Sequence, residues 1–337
     1  MAERILEVEN LTVDIPVPGG MLHAVQGNSF HVDRGETLCI VGESGCGKSL
    51  TSLAIMDLLP TKAIRGANKM DLDGFSILDI GERRMSDIRG DRMGMIFQEP
   101  MTSLNPSYSI GNQLEEALMR HRKVSRDEAR DRAVFLLEKV GITAARSRLP
   151  QYPHQLSGGL RQRVMIAMTL MCGPDLIIAD EPTTALDVTI QAQILLLLAE
   201  LQREFDMGLI LITHDLGVVA RVADRVAVMY AGQIVEEGAA KQVFENPTHP
   251  YTQGLLECIP IPGKTKRGAH LGSIPGIVPS LVGNLRGCRF AERCPYATPA
   301  CSADDVALGA GVENGHQYRC LLSTTQCAEN LNQKVPA

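Results

Sequence analysis

The sequence lacks an apolar run long enough to span a bilayer. No stretch without a formal charge is longer than 18 residues, and one of that length, residues 268–285, contains Pro275, Pro279 and four glycines. A transmembrane helix needs about 20 predominantly apolar residues, and these helix breakers interrupt the run. The opening residues Met1 to Arg4 also lack the basic and apolar segments of a secretory signal. We therefore expect no spanning helix and a protein that stays in the cytosol.

An excess of positive charge is also missing. The 337 residues include 33 Lys and Arg against 39 Asp and Glu, so the formal net charge is −6, and no long basic run occurs. Proteins that bind nucleic acid present basic patches, so no nucleic acid partner is expected. The composition is 45% hydrophobic and 21% charged, which excludes intrinsic disorder, and the length favours two domains.

Three short apolar runs, at residues 37–41, 176–179 and 209–212, indicate strands of a buried parallel sheet. A glycine loop and a helix predicted from Lys48 to Leu59, ended by Pro60, follow the first run. The second run is followed by an apolar stripe at helical spacing, made of Ile190, Ile194, Leu197, Leu198 and Leu201. This alternation predicts an α/β fold with a mostly parallel sheet.

A helical insertion is predicted at about residues 100–170. Within it, Ser125 and Glu128 have the spacing of a capping box, and Gly141 follows the apolar stripe where a helix would end. The insertion therefore differs in character from the strand-rich segments on either side of it.

The remaining segments indicate antiparallel strands and loops. The first forty residues and residues 226–236 are predicted to be strand-rich, with a hairpin turn at Ala231 and Gly232. Prolines and glycines become frequent after Gly238, which indicates a linker into a loop-rich C-terminal region.

Residues 42–49 match the phosphate-binding pattern G-x-x-x-x-G-K-S, between a predicted strand and a predicted helix. In such a loop, backbone N–H groups surround phosphate oxygens, Lys48 meets the terminal phosphates and Ser49 can ligate Mg²⁺. A chance match in such a chain has a probability on the order of one per cent. We expect ATP to be bound by Gly42, Glu43, Ser44, Gly45, Cys46, Gly47, Lys48 and Ser49.

Acidic and imidazole side chains follow the other two apolar runs. Asp180 ends the second run, where a carboxylate can approach the water shell of Mg²⁺, and Glu181 could orient or deprotonate the attacking water. His214 follows the third run, where a γ-phosphate contact is feasible. Taken alone, the acids favour a solvated turn and the histidine a structural role. The phosphate loop reverses that preference for the acids and makes the histidine a candidate.

A second phosphate cradle is predicted at Ser157, Gly158 and Gly159. Paired glycines cost about 1 kcal/mol each inside a helix, but they suit a helix start with exposed N–H groups. The order of motifs over residues 5–240 resembles the ATP-binding cassette (ABC) family. The motifs that carry this resemblance are the phosphate loop, Gln98, the signature at 156–159, Asp180 with Glu181, residues 185–187, and His214.

The ABC resemblance implies roles for these residues. Gln98 would sense the γ-phosphate and, with Ser49, hold Mg²⁺, and Glu181 would be the catalytic base. Asp187 would be the D-loop residue and His214 the switch histidine. ATPases of this family work in pairs, so ATP would close the phosphate loop of one protomer on the signature of the other.

Two positions depart from the family pattern. Leu160 stands at the fifth signature position, where glutamine is common, although members that act on peptides often have a hydrophobic residue there. Residues 11–25 contain no aromatic side chain to stack on adenine, which leaves Ile15 or His23 as substitutes.

Within the ABC family, residues 95–106, 180–189 and 249–252 look like the dipeptide, oligopeptide and nickel importer ATPases. This resemblance implies two transmembrane permease subunits, a paralogous ATPase subunit and, indirectly, a solute-binding protein. The chain would lie peripherally on the cytoplasmic face of the inner membrane. Peptides are the expected cargo, with nickel chelates, glutathione and oligosaccharides as alternatives. A non-transport ABC ATPase is disfavoured because a second cassette, a long coiled coil and basic surfaces are missing.

The C-terminal fifty residues contain five of the nine cysteines. Four thiolates can hold a tetrahedral metal or an iron–sulfur cluster, and their spacing does not choose between them. The importer resemblance favours a structural [4Fe–4S] cluster, with zinc as the alternative, buried thiols as a third interpretation and Cys327 left over. We accordingly predict an ABC domain at 1–240 and a C-terminal domain at 241–337 with the ligands Cys288, Cys294, Cys301 and Cys320.

Overall fold

The computed structural model describes residues 3–98, 103–183, 186–258, 272–283, 285–311 and 315–334. The chain divides into two compact units. Unit 1 comprises residues 1–7, 31–37 and 70–212, and unit 2 comprises residues 8–30, 38–69 and 213–337. In the described ranges no helix is both long and apolar enough to cross a bilayer.

Thirteen strands lie in the described part of the chain. Their bounds are β1 Arg4–Val17, β2 Gly20–Asp33, β3 Thr37–Val41, β4 Ile64–Gly66, β5 Lys69–Leu72, β6 Phe75–Ser76, β7 Met93–Ile96, β8 Leu176–Asp180, β9 Gly208–Ile212, β10 Arg225–Tyr230, β11 Gln233–Ala239, β12 Gly309–Ala310 and β13 Gln317–Tyr318.

The helices lie between and after these strands along the chain. Their bounds are α1 Lys48–Ile55, α2 Glu82–Ile88, α3 Ile110–His121, α4 Arg126–Lys139, α5 Ala145–Arg148, α6 Gly158–Thr169, α7 Val188–Phe205, α8 Leu216–Val222, α9 Ala240–Glu245, α10 Pro250–Glu257 and α11 Thr324–Lys334. Short 3₁₀ turns occupy Pro153–Gln155, Ala291–Arg293 and Pro299–Ser302.

In unit 1, β8 pairs in parallel with both β7 and β9. Every residue of these three strands is buried, as expected for a parallel sheet covered on both faces. The predicted strands at 176–179 and 209–212 are therefore confirmed. Because parallel strands end at one edge, Asp180 and the residues after Ile96 follow neighbouring strand ends.

The predicted helical insertion is present in unit 1 as α3 to α6, and α4 packs against α3 and α6. At the start of α4, the Ser125 side chain accepts from the Glu128 N–H, and the Glu128 carboxylate accepts from the Ser125 N–H. This confirms the capping box. After the helix, Gly141 has a φ of 80°, which suits a glycine that ends a helix.

In unit 2, β3 is buried throughout and pairs in parallel with β10, and β10 pairs antiparallel with β11. The two-residue turn at Ala231 and Gly232 joins β10 to β11, with φ values of 46° and 84°. Two positive φ values are typical of the tight hairpin turn whose twist matches the strands. The predicted hairpin is therefore confirmed.

The prediction that α1 extends to Leu59 is wrong, because the helix ends at Ile55. Asp57 adopts a left-handed conformation with φ 53°, and the Leu58 N–H donates to the Leu53 carbonyl at 2.8 Å. This is the hydrogen-bond pattern of a Schellman cap, which glycine usually provides. Arg65 holds the cap in place through an ion pair to Asp57 at 3.2 Å.

Candidate functional site

The phosphate loop of unit 2 connects β3 to α1, and two of its glycines are required by close packing. A Cβ on Gly42 would lie 2.1 Å from the Met229 carbonyl oxygen, and one on Gly47 would lie 2.4 Å from the Ala24 carbonyl oxygen. Both have positive φ values, 154° and 103°, which glycine tolerates best. The loop's conformation thus depends on glycine at both positions.

The Lys48 side chain is hydrogen-bonded to the backbone of its own loop. Its side chain is buried, and Nζ donates to the carbonyl oxygens of Gly42 at 2.8 Å and Glu43 at 3.0 Å, with Cys46 Sγ at 3.7 Å. The Gly232 N–H donates to the Cys46 carbonyl at 2.9 Å, which ties the loop to the β10–β11 turn. A positive charge is therefore held at the start of α1, where N–H groups and the helix dipole favour anions.

Glu43 in the phosphate loop is held by residues from the C-terminal region. Its N–H donates to the Tyr251 hydroxyl at 2.9 Å, and its carboxylate accepts from both terminal nitrogens of Arg293 at 2.6 and 3.0 Å. The sequence-based assignment missed both partners. Tyr251 lies in the His-Pro-Tyr-Thr motif, but nothing in that motif points to residue 43.

The carboxylates of unit 1 lie at the end of β8. Asp180 is buried, and Glu181 follows with a left-handed φ of 43°, while its N–H donates to the Ile212 carbonyl at 2.9 Å. Gln98 Nε2, two residues beyond β7, donates to Glu181 Oε2 at 3.0 Å. The structure therefore brings the predicted Q-loop residue and the predicted base together at one strand edge, in a backbone conformation that non-glycine residues rarely adopt.

The signature segment of unit 1 forms a helix start, as predicted. Ser157 is the N-cap of α6, and its hydroxyl accepts from the Leu160 N–H at 3.4 Å. Gly158 and Gly159 occupy the first turn, and Ser157 and Gly158 are exposed. N–H groups at an exposed helix start can bind an anion that another molecule brings.

Three further predicted residues lie outside the segments described so far. His214 in unit 2 is exposed and comes directly before Asp215, whose side chain caps α8 by accepting from Gly217 and Val218 N–H groups. His23 Nδ1 lies 2.7 Å from Asp14 Oδ1, so its ring already has a polar partner. Asp187 is the N-cap residue of α7, whereas Ala185 of the same motif lies outside the described residues.

The four predicted cysteine ligands line one small cavity in unit 2. Cys288, Cys294, Cys301 and Cys320 share it with the rings of His249, Phe290 and Tyr296 and with aliphatic side chains. The Cys288 N–H donates to the Cys301 carbonyl at 2.7 Å, which holds two of the four segments together. Burial raises the pKa of Cys288, and it raises the pKa of Cys294 to about 11. Both thiols therefore keep their protons unless a cation compensates the thiolate charge.

The sulfurs of these cysteines are spread around the cavity. In the described part of the chain, no three of the cysteine sulfurs lie within 4.8 Å of one another. A tetrahedral zinc site with Zn–S bonds of about 2.3 Å places its sulfurs about 3.8 Å apart. Cys327, the predicted spare cysteine, is buried beside Cys320, and hydrogen bonding between these two thiols lowers the pKa of Cys320 to about 7.

Comparisons with known proteins agree with this architecture. Residues 25–184 match the family described as ABC transporter, and residues 235–301 match the oligopeptide/dipeptide transporter C-terminal region. A solved dimeric ATP-binding cassette in a post-hydrolysis state, bound to ADP and Pi, is 28% identical, with a TM-score of 0.62 over 70% of this chain and 98% of that one. The chain is an ABC-type ATPase.

Curated relatives define the family more closely. The dipeptide transport ATP-binding protein DppD of Bacillus subtilis is 50% identical over 322 residues, which is 95% of each chain. The oligopeptide transport ATP-binding protein OppD of Salmonella typhimurium is 50% identical over 301 residues, which is 89% of each chain. The chain belongs to the family of ATP-binding subunits of ABC peptide importers, and its ATPase activity is coupled to transport.

Proposed function

We propose that the chain binds MgATP on its phosphate loop and hydrolyses it with Glu181 as the base. Glu181 takes a proton from the water that attacks the γ-phosphorus, the bond to the bridging oxygen of ADP breaks, and ADP and phosphate leave. The hydrogen bond of 3.0 Å between Gln98 and Glu181 is the observation that carries this proposal, because it couples the predicted γ-phosphate sensor to the predicted base.

The other site residues support the same reaction. Lys48 and the N–H groups of residues 42–49 neutralise and orient the phosphates, and His214 contacts the γ-phosphate. Ser49 and Gln98 would hold Mg²⁺ directly and Asp180 through water, since hydroxyl, amide and carboxylate oxygens are the donors that Mg²⁺ prefers. When bound, Mg²⁺ neutralises phosphate charge.

We further propose that the chain works as one of two ATPase subunits. The exposed helix start at Ser157 and Gly158 supports this, because an uncovered anion site needs a second molecule to supply the phosphate. ATP held by one subunit would meet the signature of a paralogous subunit. Two transmembrane permeases would anchor this pair at the cytoplasmic face of the inner membrane, and a solute-binding protein would deliver the cargo, which the curated relatives indicate to be dipeptides or oligopeptides.

Within the proposed C-terminal domain at 241–337, we propose that the cysteine cavity holds a [4Fe–4S] cluster. Four cysteines on one cavity match the ligand count of such a cluster, whose thiolates bind separate irons and so lie farther apart than around one zinc. The hydrogen bond from the Cys288 N–H to the Cys301 carbonyl supports this proposal, because it holds two of the four ligand segments together. We assign the cluster a structural role.

The variant Glu181→Gln tests the proposed base. It keeps the hydrogen-bonding shape but cannot accept the proton, so MgATP should still bind while hydrolysis by the assembled importer falls at least about 100-fold. Glu200→Gln, an exposed change on α7 in the same unit, is the control and should behave as the unchanged protein. Hydrolysis by Glu181→Gln at the level of that control would remove Glu181 from the reaction.

A further inference from the structure

Glu43 of the phosphate loop is hydrogen-bonded to two side chains of the C-terminal region. All of this residue's polar groups have partners within unit 2. Its N–H donates to the Tyr251 hydroxyl, and its carboxylate accepts two hydrogen bonds from Arg293. Its carbonyl accepts from Lys48 Nζ at 3.0 Å and from the Cys46 N–H at 3.4 Å. Glu43 thus joins two C-terminal side chains to the lysine that meets the terminal phosphates.

The Arg293 side chain is buried and hydrogen-bonded to several groups. The side chain is 4% exposed. Apart from the two hydrogen bonds to Glu43, it donates to the carbonyls of Pro275 at 3.0 Å and Ile274 at 3.1 Å and to the Tyr230 hydroxyl at 3.3 Å. All five guanidinium donors are therefore used, and the planar fork fixes the direction of the Glu43 carboxylate.

Tyr251 is anchored as firmly as Arg293. It is fully buried, and its ring packs against Tyr230 and Phe290 with centroids 4.5 and 5.4 Å away. Its N–H donates to His249 Nδ1 at 3.0 Å. The Tyr251 hydroxyl is therefore held rigidly where it accepts from the Glu43 N–H. This hydrogen bond fixes the peptide between Gly42 and Glu43, whose carbonyl oxygen accepts from Lys48 Nζ.

Stability alone gives no reason for this arrangement. A buried ion pair is often no more stabilising than well-packed apolar residues, and here the carboxylate is 30% exposed. The two hydrogen bonds from Arg293 instead fix the orientation of Glu43, and the carbonyl of Glu43 accepts directly from Lys48 Nζ. Because a loop that is already in the phosphate-binding conformation loses less entropy when nucleotide binds, such anchoring raises affinity.

We propose that Arg293 and Tyr251 are positioning residues of the nucleotide site, which hold the phosphate loop for ATP through Glu43. The proposal rests on the proposed nucleotide-binding function of the loop. The C-terminal region is then part of the ATP site as well as an appendage. Arg293 comes directly before Cys294, and His249 lines the cysteine cavity, so the same residues connect that cavity to the loop.

A double-mutant cycle tests this role in the full chain. The variants are Arg293→Gln, Glu43→Gln and the double variant, with the exposed Arg286→Gln as the control in the same segment. The dissociation constant of MgATP is measured by titration with a fluorescent analogue. We expect each single change to weaken binding about tenfold and the double change to weaken it no further, because both remove one interaction. Strictly additive losses, or affinities equal to that of Arg286→Gln, would overturn the proposal.

Tyr251→Phe provides a second test if Arg293→Gln does not fold. It removes only the hydroxyl that accepts from Glu43, so the ring packing is kept. The KM for ATP of the assembled importer should rise several-fold while kcat stays within about twofold, as for a lost contribution to binding. Lowered kcat with unchanged KM would contradict a positioning role. If the nucleotide does not bind the unchanged protein at all, the proposed function itself fails, and the two failures are distinguishable.

Discussion

Replacing Gly47 by alanine measures how closely the phosphate loop packs on its surroundings. Gly47 has a φ of 103°, and an added Cβ would lie 2.4 Å from the Ala24 carbonyl oxygen and 2.8 Å from Met229 Cε. A left-handed conformation costs an L-residue roughly 1–2 kcal/mol, and overpacking adds roughly 1–3 kcal/mol. We expect Gly47→Ala to lower the free energy of unfolding by about 2–5 kcal/mol.

Gly45→Ala is the matched control in the same loop. Gly45 also has a positive φ, 80°, but a Cβ there would meet nothing within 4 Å. Only the conformational cost of roughly 1–2 kcal/mol then applies. Urea unfolding of both full-length variants without nucleotide gives the difference, about 1–3 kcal/mol, that the close approach accounts for. Equal losses in the two variants would refute the reasoning.

Two more predictions concern the capping box and the cysteine cavity. Ser125→Ala should cost about 1 kcal/mol at neutral pH. The Ser125 hydroxyl accepts from the Glu128 N–H at any pH, but the hydrogen bonds from the Ser125 backbone and hydroxyl to the Glu128 carboxylate lower its pKa. The part that the hydroxyl contributes through the carboxylate is present above the unfolded pKa and is lost as pH falls through the lower folded value. Urea unfolding at pH 7 and near pH 3 should therefore show a smaller effect in acid. Cys288→Ser should lower the iron content of anaerobically purified protein, whereas Cys172→Ser, outside the cavity, should not, and unchanged iron in Cys288→Ser would contradict the ligand assignment.

Local signals in the sequence account for most of the fold. The buried strands, the capping box at Ser125 and the hairpin turn at Ala231 each depend on residues a few positions apart, so their patterns are visible without the structure. The end of α1 was mispredicted because Asp57 provides the left-handed cap where a glycine would have been the recognisable signal.

Contacts between distant residues explain what the sequence did not reveal about the site. Arg293 and Glu43 are 250 positions apart, and each is also hydrogen-bonded to one of the two packed tyrosines, Tyr230 and Tyr251. No periodicity or motif encodes such a contact. The four cysteines were predicted as a group, and the structure places all four on the lining of one cavity.

The sandwich of ATP between two subunits is the central claim, and association of those subunits is its most direct measurement. The Glu181→Gln chain is mixed with its partner ATPase subunit, and the mass of the species is followed by sedimentation with MgATP or MgADP. The same comparison is made in the assembled importer through spin-label distances across the two ATPase subunits. We predict association and shortened distances with MgATP alone. Subunits that stay apart with saturating MgATP in both settings would contradict the account.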